Sequence, residues 1–150
     1  MRCVHVFNGP NLNLLGRREP AVYGHDTLAD LEARCRAVTD DLGLQMCFRQ
    51  SNSEGELISW VHECGESVAA GDSLGLVLNA GAYTHTSIAL RDAVRGAEVP
   101  TVEVHLSNPH ARETFRHHSY LSGVALGVVA GFGALGYDLA IRGLQRTKEQ

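Results

Sequence analysis

The chain has 150 residues, of which 44% are hydrophobic and 20% charged, with a formal net charge of −4. That length and balance suit one domain that buries a core without disulfide or metal staples. The absence of a basic run disfavours a nucleic-acid partner. With no signal-peptide pattern and no apolar stretch long enough to span a bilayer, a cytoplasmic enzyme or binding domain is expected, with no membrane partner.

CVHVF (3–7) is a β-branched run that stops at the turn signal Asn8-Gly9-Pro10. The stretch NGPNLNLLGRREPAVYG (8–24) follows, with few residues that could build a core. So long and polar a connection is expected to carry a mobile lid, at about residues 17–25. HDTLADLEARCRAVTDDLG (25–43) sets Leu28, Leu31, Cys35, Val38 and Leu42 at helical spacing. Asp26 or Thr27 can cap that helix and Gly43 can end it. LQMCFRQ (44–50) alternates as a strand does. SEGELISWVHECGESVAA (53–70) repeats Leu57, Trp60, Val61 and Cys64 on one face of a second helix. SLGLVLNAGA (73–82) is a continuous apolar run, expected of a strand buried on both faces. THTSIALRDAVRGAE (84–98) is a third helix with Thr84 or Thr86 as its cap. PTVEVHLSNPHA (100–111) is a strand running into a polar loop. SGVALGVVAGFGALGYDLAIRGLQRT (122–147) is apolar and Gly-rich; Gly127, Gly131, Gly133 and Gly136 predict a helix packed closely on its neighbours.

Four cysteines, Cys3, Cys35, Cys47 and Cys64, are scattered without a CxxC pair, so zinc-ribbon and thioredoxin-like signatures are absent. Cys3, Cys35 and Cys47 sit in apolar patterns and read as small, reduced core residues.

Alternating strands and helices predict a parallel sheet with helices on both faces and right-handed crossovers. At this length the expected architecture is a single α/β domain over 1–150, a flavodoxin-like three-layer sandwich. Its five-stranded parallel sheet would run in the order 2-1-3-4-5. Such folds bind ligands beyond the carboxyl ends of their strands, and the polar clusters of this chain all follow strands.

Glu103 and His105 are two apart in a strand and so share a face. A carboxylate beside an imidazole fixes its tautomer and favours the charged form, and histidine is the commonest general acid or base. Tyr23 lies near Arg17 and Arg18; a tyrosine becomes a useful base only where a cation favours its phenolate. Asn79 at a strand end and His85 near a helix start are candidates to bind an anion such as a carboxylate. Arg112 and Arg116 are candidates for a carboxylate or hydroxyl clamp. His110, His117 and His118 match no common metal-ligand spacing. The phosphate-loop and dinucleotide fingerprints are both missing. Each fragment alone also has a plain reading as a solvated loop, a turn or a cap.

Taken in order, NGPNLNLLGRREPAVYG, RQSNSEGELISWVHE, LNAGAYTHTSIALRDAV, EVHLSNPHARETFRHHSYLS and GVVAGFGALGYDLA cover nearly the whole chain. Together they resemble the type II 3-dehydroquinate dehydratases. The resemblance implies a flavodoxin-like subunit, usually assembled as a dodecamer of trimers. The implied reaction is reversible loss of water from 3-dehydroquinate to give 3-dehydroshikimate, with no metal, organic cofactor or Schiff base. It serves aromatic amino-acid biosynthesis or quinate breakdown. The family's base falls on Tyr23 and its activating arginine on Arg18. The asparagine that holds a water against the enolate falls on Asn11. The general acid falls on His105, oriented by Glu103. Substrate contacts fall on Asn79, His85, Leu106, Ser107 and Arg116, and an aspartate supplied by a neighbouring subunit falls on Asp92. Ser53, Gly123 and Leu126 depart from the residues common in the family, none at a catalytic position. Two other readings stay open: dehydration of a different small hydroxy acid by the same enolate route, and a non-catalytic receiver or FMN-binding module.

Overall fold

The computed structural model describes residues 1–17 and 19–149. Five strands form one sheet: β1 (Cys3–Asn8), β2 (Gln45–Gln50), β3 (Ser73–Asn79), β4 (Thr101–His105) and β5 (Gly127–Ala130). All four pairings are parallel, and the order is β2-β1-β3-β4-β5, the flavodoxin-like arrangement expected from the alternation. The helices are α1 (Pro20–Tyr23), α2 (Leu28–Asp41), α3 (Glu54–Ala69), α4 (Ile88–Gly96) and α5 (Leu135–Glu149). Among the described residues no helix is long and apolar enough to cross a membrane.

The two-residue period of the strands sorts the core into two layers. Val4, Val6, Val77, Val102 and Val104 face one side, with Leu31 and Cys35 of α2 and Tyr137, Ile141 and Leu144 of α5. Phe7, Leu76 and Leu78 face the other, with Leu57, Val61 and Cys64 of α3 and Leu90 and Val94 of α4. β3 sits at the centre of the sheet and is buried at every residue, as its unbroken apolar run predicts.

Local signals set the helix starts. Thr27 caps α2 through a reciprocal box: the Asp30 amide donates to Thr27 Oγ1 at 3.2 Å and the Thr27 amide to Asp30 Oδ2 at 2.9 Å. α4 departs from expectation. Its cap is Ser87, whose hydroxyl accepts from the Leu90 amide at 2.9 Å, not Thr84 or Thr86. Residues 81–85 instead make a 3-10 turn, and Thr84 is fully buried within it.

The segment 122–147 is not one helix. It holds edge strand β5, then a turn in which Gly131 and Gly133 take positive φ values of 92° and 58°, and then α5. A right-handed helix cannot continue through those angles, which glycine alone adopts freely. Close packing holds at Gly136, where an added Cβ would meet Val104 Cγ2 at 3.2 Å. The cysteines also differ from expectation. Cys35 and Cys64 are buried, whereas Cys3, at the start of β1, and Cys47, on edge strand β2, are half-buried. Burial pushes both the Cys35 and the Cys64 thiols up to about 12.

His5 on β1 is an unforeseen half-buried polar residue. Both its ring nitrogens are buried without a hydrogen-bond partner, and its ring meets Phe7 edge-on at 5.6 Å. Burial holds the imidazole below its ordinary range, Arg49 adds to the shift and Glu63 opposes it. The unfolded chain, near the reference value of about 6.5, therefore binds a proton that the folded state refuses. Stability from this site is present above that value and is lost as pH falls below it. Denaturant titrations of His5→Phe should show a smaller loss of stability between neutral and mildly acidic pH than the parent shows.

Candidate active site

At the carboxyl edge of the sheet β1 and β3 end on two asparagines in register, Asn8 and Asn79, both buried. Between them reaches Tyr137 of α5. Its hydroxyl donates to Asn8 Oδ1 at 2.6 Å and accepts from Asn79 Nδ2 at 3.0 Å. Asn79 Oδ1 accepts from the Gly81 amide at 3.2 Å, and Asn8 Nδ2 donates to the Arg49 carbonyl at 3.1 Å. Complete burial pushes the Tyr137 phenol well up and keeps it neutral. Gly9 lets the first loop lie directly on this floor: its amide donates to the Asn79 carbonyl at 2.7 Å. A Cβ there would stand 2.2 Å from the Ala80 carbonyl oxygen.

One wall is built by β4. Glu103 is 2% exposed and His105 is 8% exposed. Glu103 Oε2 and His105 Nε2 are 2.5 Å apart. The other carboxylate oxygen accepts from the hydroxyls of Ser119 at 3.0 Å and Ser122 at 2.9 Å. Burial alone would raise the Glu103 carboxyl, but these bonds outweigh it and hold the group below its ordinary value. With Nε2 facing Glu103, Nδ1 is the His105 nitrogen left for a ligand. The His85 ring stacks beside it, centroids 6.4 Å apart. His85 Nδ1 donates to the His118 carbonyl at 2.8 Å and so leaves Nε2 as an acceptor. Burial holds His85 below the ordinary imidazole range, against the upward pull of that bond, with His105 and Arg116 adding to the fall.

The opposite wall carries Tyr23 at the end of α1. Arg112 Nη1 donates to the Tyr23 hydroxyl at 2.7 Å, and its guanidinium carbon lies 5.0 Å from the ring centroid. The sequence had pointed to Arg17 or Arg18 for this part. Arg17 is exposed and does not line the cleft; Arg18 lies outside the described residues. Arg116 also lines the cleft and is held by the Glu113 carboxylate, which stands 4.0 Å from Arg112 as well.

Asn11, Leu106 and Ser107 line the same cleft. Asn11 takes a left-handed conformation, φ 69°, and its amide donates to Asn52 Oδ1 at 3.0 Å. Asp92 is not brought to this cleft: it lies on α4, exposed, with its carboxylate 2.8 Å from Arg91, in a groove shared with His62 and Glu66. Among the described residues no group of three His, Cys, Asp or Glu side chains is arranged to hold a metal ion. His117 instead contacts the Arg112 carbonyl through Nε2 at 3.0 Å, and so braces the loop that carries the arginines.

The sequence model of the family described as dehydroquinase class II matches residues 2–145. The chain belongs to that family. It is 62% identical over 143 residues to the 3-dehydroquinate dehydratase of Acidovorax sp. (strain JS42), covering 95% of this chain and 97% of the relative. It is 59% identical over 144 residues to 3-dehydroquinate dehydratase 2 of Ralstonia nicotianae, covering 96% and 94%. Among solved structures, the type II dehydroquinase from Butyrivibrio crossotus superposes with a TM-score of 0.91 at 37% identity, covering 96% of this chain and 97% of that one. That from Propionibacterium acnes gives 0.90 at 41% identity, with 97% of each covered.

Several residues that build this dehydroquinase-family cleft were not singled out as site residues in the sequence: Tyr137, Ser119 and Ser122, with Arg112 named only as a clamp. Tyr137 carried one readable signal, since a tyrosine in an apolar run needs a partner for its hydroxyl. Tyr137→Phe removes the atom that pairs Asn8 with Asn79 and leaves two buried amides short of a partner. It should lower unfolding stability by about 1–3 kcal/mol, measured by denaturant titration, and weaken binding of any ligand that Asn79 contacts.

Proposed function

We propose that the chain is a hydro-lyase that removes water from 3-dehydroquinate, reversibly, to give 3-dehydroshikimate through an enolate. One observation carries the reading. A hydrogen-bonded carboxylate–imidazole pair and an arginine-held tyrosine line the same cleft, which is what an acid and a base acting on adjacent carbons require. The family membership and the names of the relatives support the choice of substrate.

In this mechanism the substrate carboxylate binds Asn79 and the backbone of Leu106 and Ser107, while His85 and Arg116 hold the ring hydroxyls. Tyr23, as the phenolate, takes a proton from the carbon alpha to the ketone. The electron pair moves onto the ketone oxygen as an enolate, and a water held by Asn11 stabilises it. The enolate then re-forms the ketone and expels the hydroxyl, which receives the proton on His105 Nδ1 and leaves as water. Tyr23 ends protonated and His105 neutral; exchange with solvent restores both. Each step is proton transfer or charge stabilisation and calls for no metal or organic cofactor. Closure of a lid over about residues 17–25 would bring Arg18 and Tyr23 in to the substrate and exclude water, which strengthens every charge interaction inside.

The same reading includes a cytoplasmic homo-oligomer, a dodecamer built from trimers, in which Asp92 reaches a neighbouring subunit's cleft. That role suits an exposed carboxylate on α4 remote from its own site. The role in metabolism is aromatic amino-acid biosynthesis or quinate breakdown.

The test is an ultraviolet assay of the conjugated product from 3-dehydroquinate, with and without borohydride. Turnover should be unaffected by borohydride, because no imine forms. Tyr23→Phe should fold normally and lose about two orders of magnitude in turnover, the usual scale for a general base. Near-parental turnover in that variant would remove Tyr23 from the role.

A further inference from the structure

The turn at residues 118–122 does more than close the back of the cleft. Ser119 Oγ accepts two amide hydrogens, from Leu121 and Ser122, at 3.0 and 3.1 Å. Both lone pairs are therefore committed, and its single hydrogen points to Glu103 Oε1. Ser122 Oγ lies against the same oxygen. A hydrogen on Oε1 would face the one that Ser119, with both lone pairs committed, must donate there and would displace that bond; a hydrogen on Oε2 would face His105. The arrangement favours a carboxylate that only accepts. His105 Nε2 must then be the donor toward Oε2, whatever the charge on the ring. One residue earlier the His118 carbonyl, which can only accept, fixes the proton of His85 on Nδ1.

We propose that Ser119 and Ser122 are positioning residues that lock Glu103 as an oriented acceptor and thereby keep the His105 proton on Nε2, so that Nδ1 alone exchanges a proton with the substrate. The catalytic consequence rests on the dehydratase reading; the tautomer does not. The 118–122 turn thus presets the two stacked imidazoles in opposite tautomers, His85 with a bare Nε2 and His105 with a bare or proton-bearing Nδ1. Loss of the hydroxyls would free the carboxylate to rotate and let neutral His105 populate both tautomers.

The experiment uses full-length protein with 15N-labelled histidine. Long-range proton–nitrogen correlation spectra, taken above the titration range of imidazole, read the tautomer of each ring. His105 should be Nε2–H in the parent and mixed in Ser119→Ala/Ser122→Ala. Turnover should fall about tenfold for each charged hydrogen bond lost while KM stays near the parent, since the loss falls on the chemical step. Ser122 is exposed, so Ser122→Thr tolerates its added methyl, keeps the hydroxyl and should restore both signals that Ser122→Ala loses. Should the double variant fail to fold, the Ser122→Ala and Ser122→Thr pair decides. A parent His105 in the Nδ1–H form overturns the proposal. So does a folded double variant with parental tautomer and turnover, or a Ser122→Thr as impaired as Ser122→Ala. A parent with Nε2–H but no turnover on 3-dehydroquinate would refute the dehydratase reading and leave the positioning role standing.

Discussion

A carboxylate 2% exposed in the middle of β4 is the constraint around which this molecule is organised. An ionised group taken out of water costs several kcal/mol unless each oxygen finds donors. Glu103 finds three, from His105 on its own strand and from Ser119 and Ser122 in the connection to β5. Those bonds hold its charge, its charge holds the imidazole, and the connection that supplies the hydroxyls also ties down His85 through the His118 carbonyl. Structure and chemistry therefore share one set of hydrogen bonds.

The floor of the cleft follows the same logic with neutral groups. β1 and β3 both end on asparagine, and two amides side by side in a buried position need a partner that can donate to one and accept from the other. A phenol does both, and Tyr137 reaches it from α5, at the far end of the sequence. The helices cover both faces of the sheet, so the carboxyl edge is the place where polar groups from β1, β3, β4 and α5 can meet. The opposite wall of the cleft differs in kind. Tyr23 sits on a single helical turn and is held by Arg112, from a loop that Glu113 and His117 brace in turn.

Much of this was legible in the chain. The strand–helix alternation predicts the sheet order, because each apolar run is bounded by turn residues and each helix carries its own periodicity. The spacing of Glu103 and His105 predicts a shared face because side chains alternate along a strand. The misses have physical causes. β5 is four residues long and lies in a glycine-rich apolar run, where helix and strand periods cannot be told apart until the angles at Gly131 and Gly133 break the chain. Tyr137 reads as core because its ring is core and only its hydroxyl is functional. Arg112 donates to the Tyr23 phenol from 89 residues away, a pairing that spacing along the chain does not predict. Ser119 and Ser122 resemble any turn serines until the carboxylate they serve is placed. His5 escaped notice because an imidazole without partners is an unfavourable choice that no pattern favours.

The central claim is that Tyr23 and His105 act as base and acid on one substrate held between them. A crystal structure of 3-dehydroquinate bound to Tyr23→Phe tests it most directly. The account predicts the carbon alpha to the ketone within about 3.5 Å of the edge of the ring at position 23, the separation expected of groups poised to react. It also predicts the departing hydroxyl within hydrogen-bond reach of His105 Nδ1, about 2.6–3.2 Å, with the carboxylate on Asn79. A substrate bound in the reverse sense, with its carboxylate at His105 or its departing hydroxyl remote from that ring, would contradict the account.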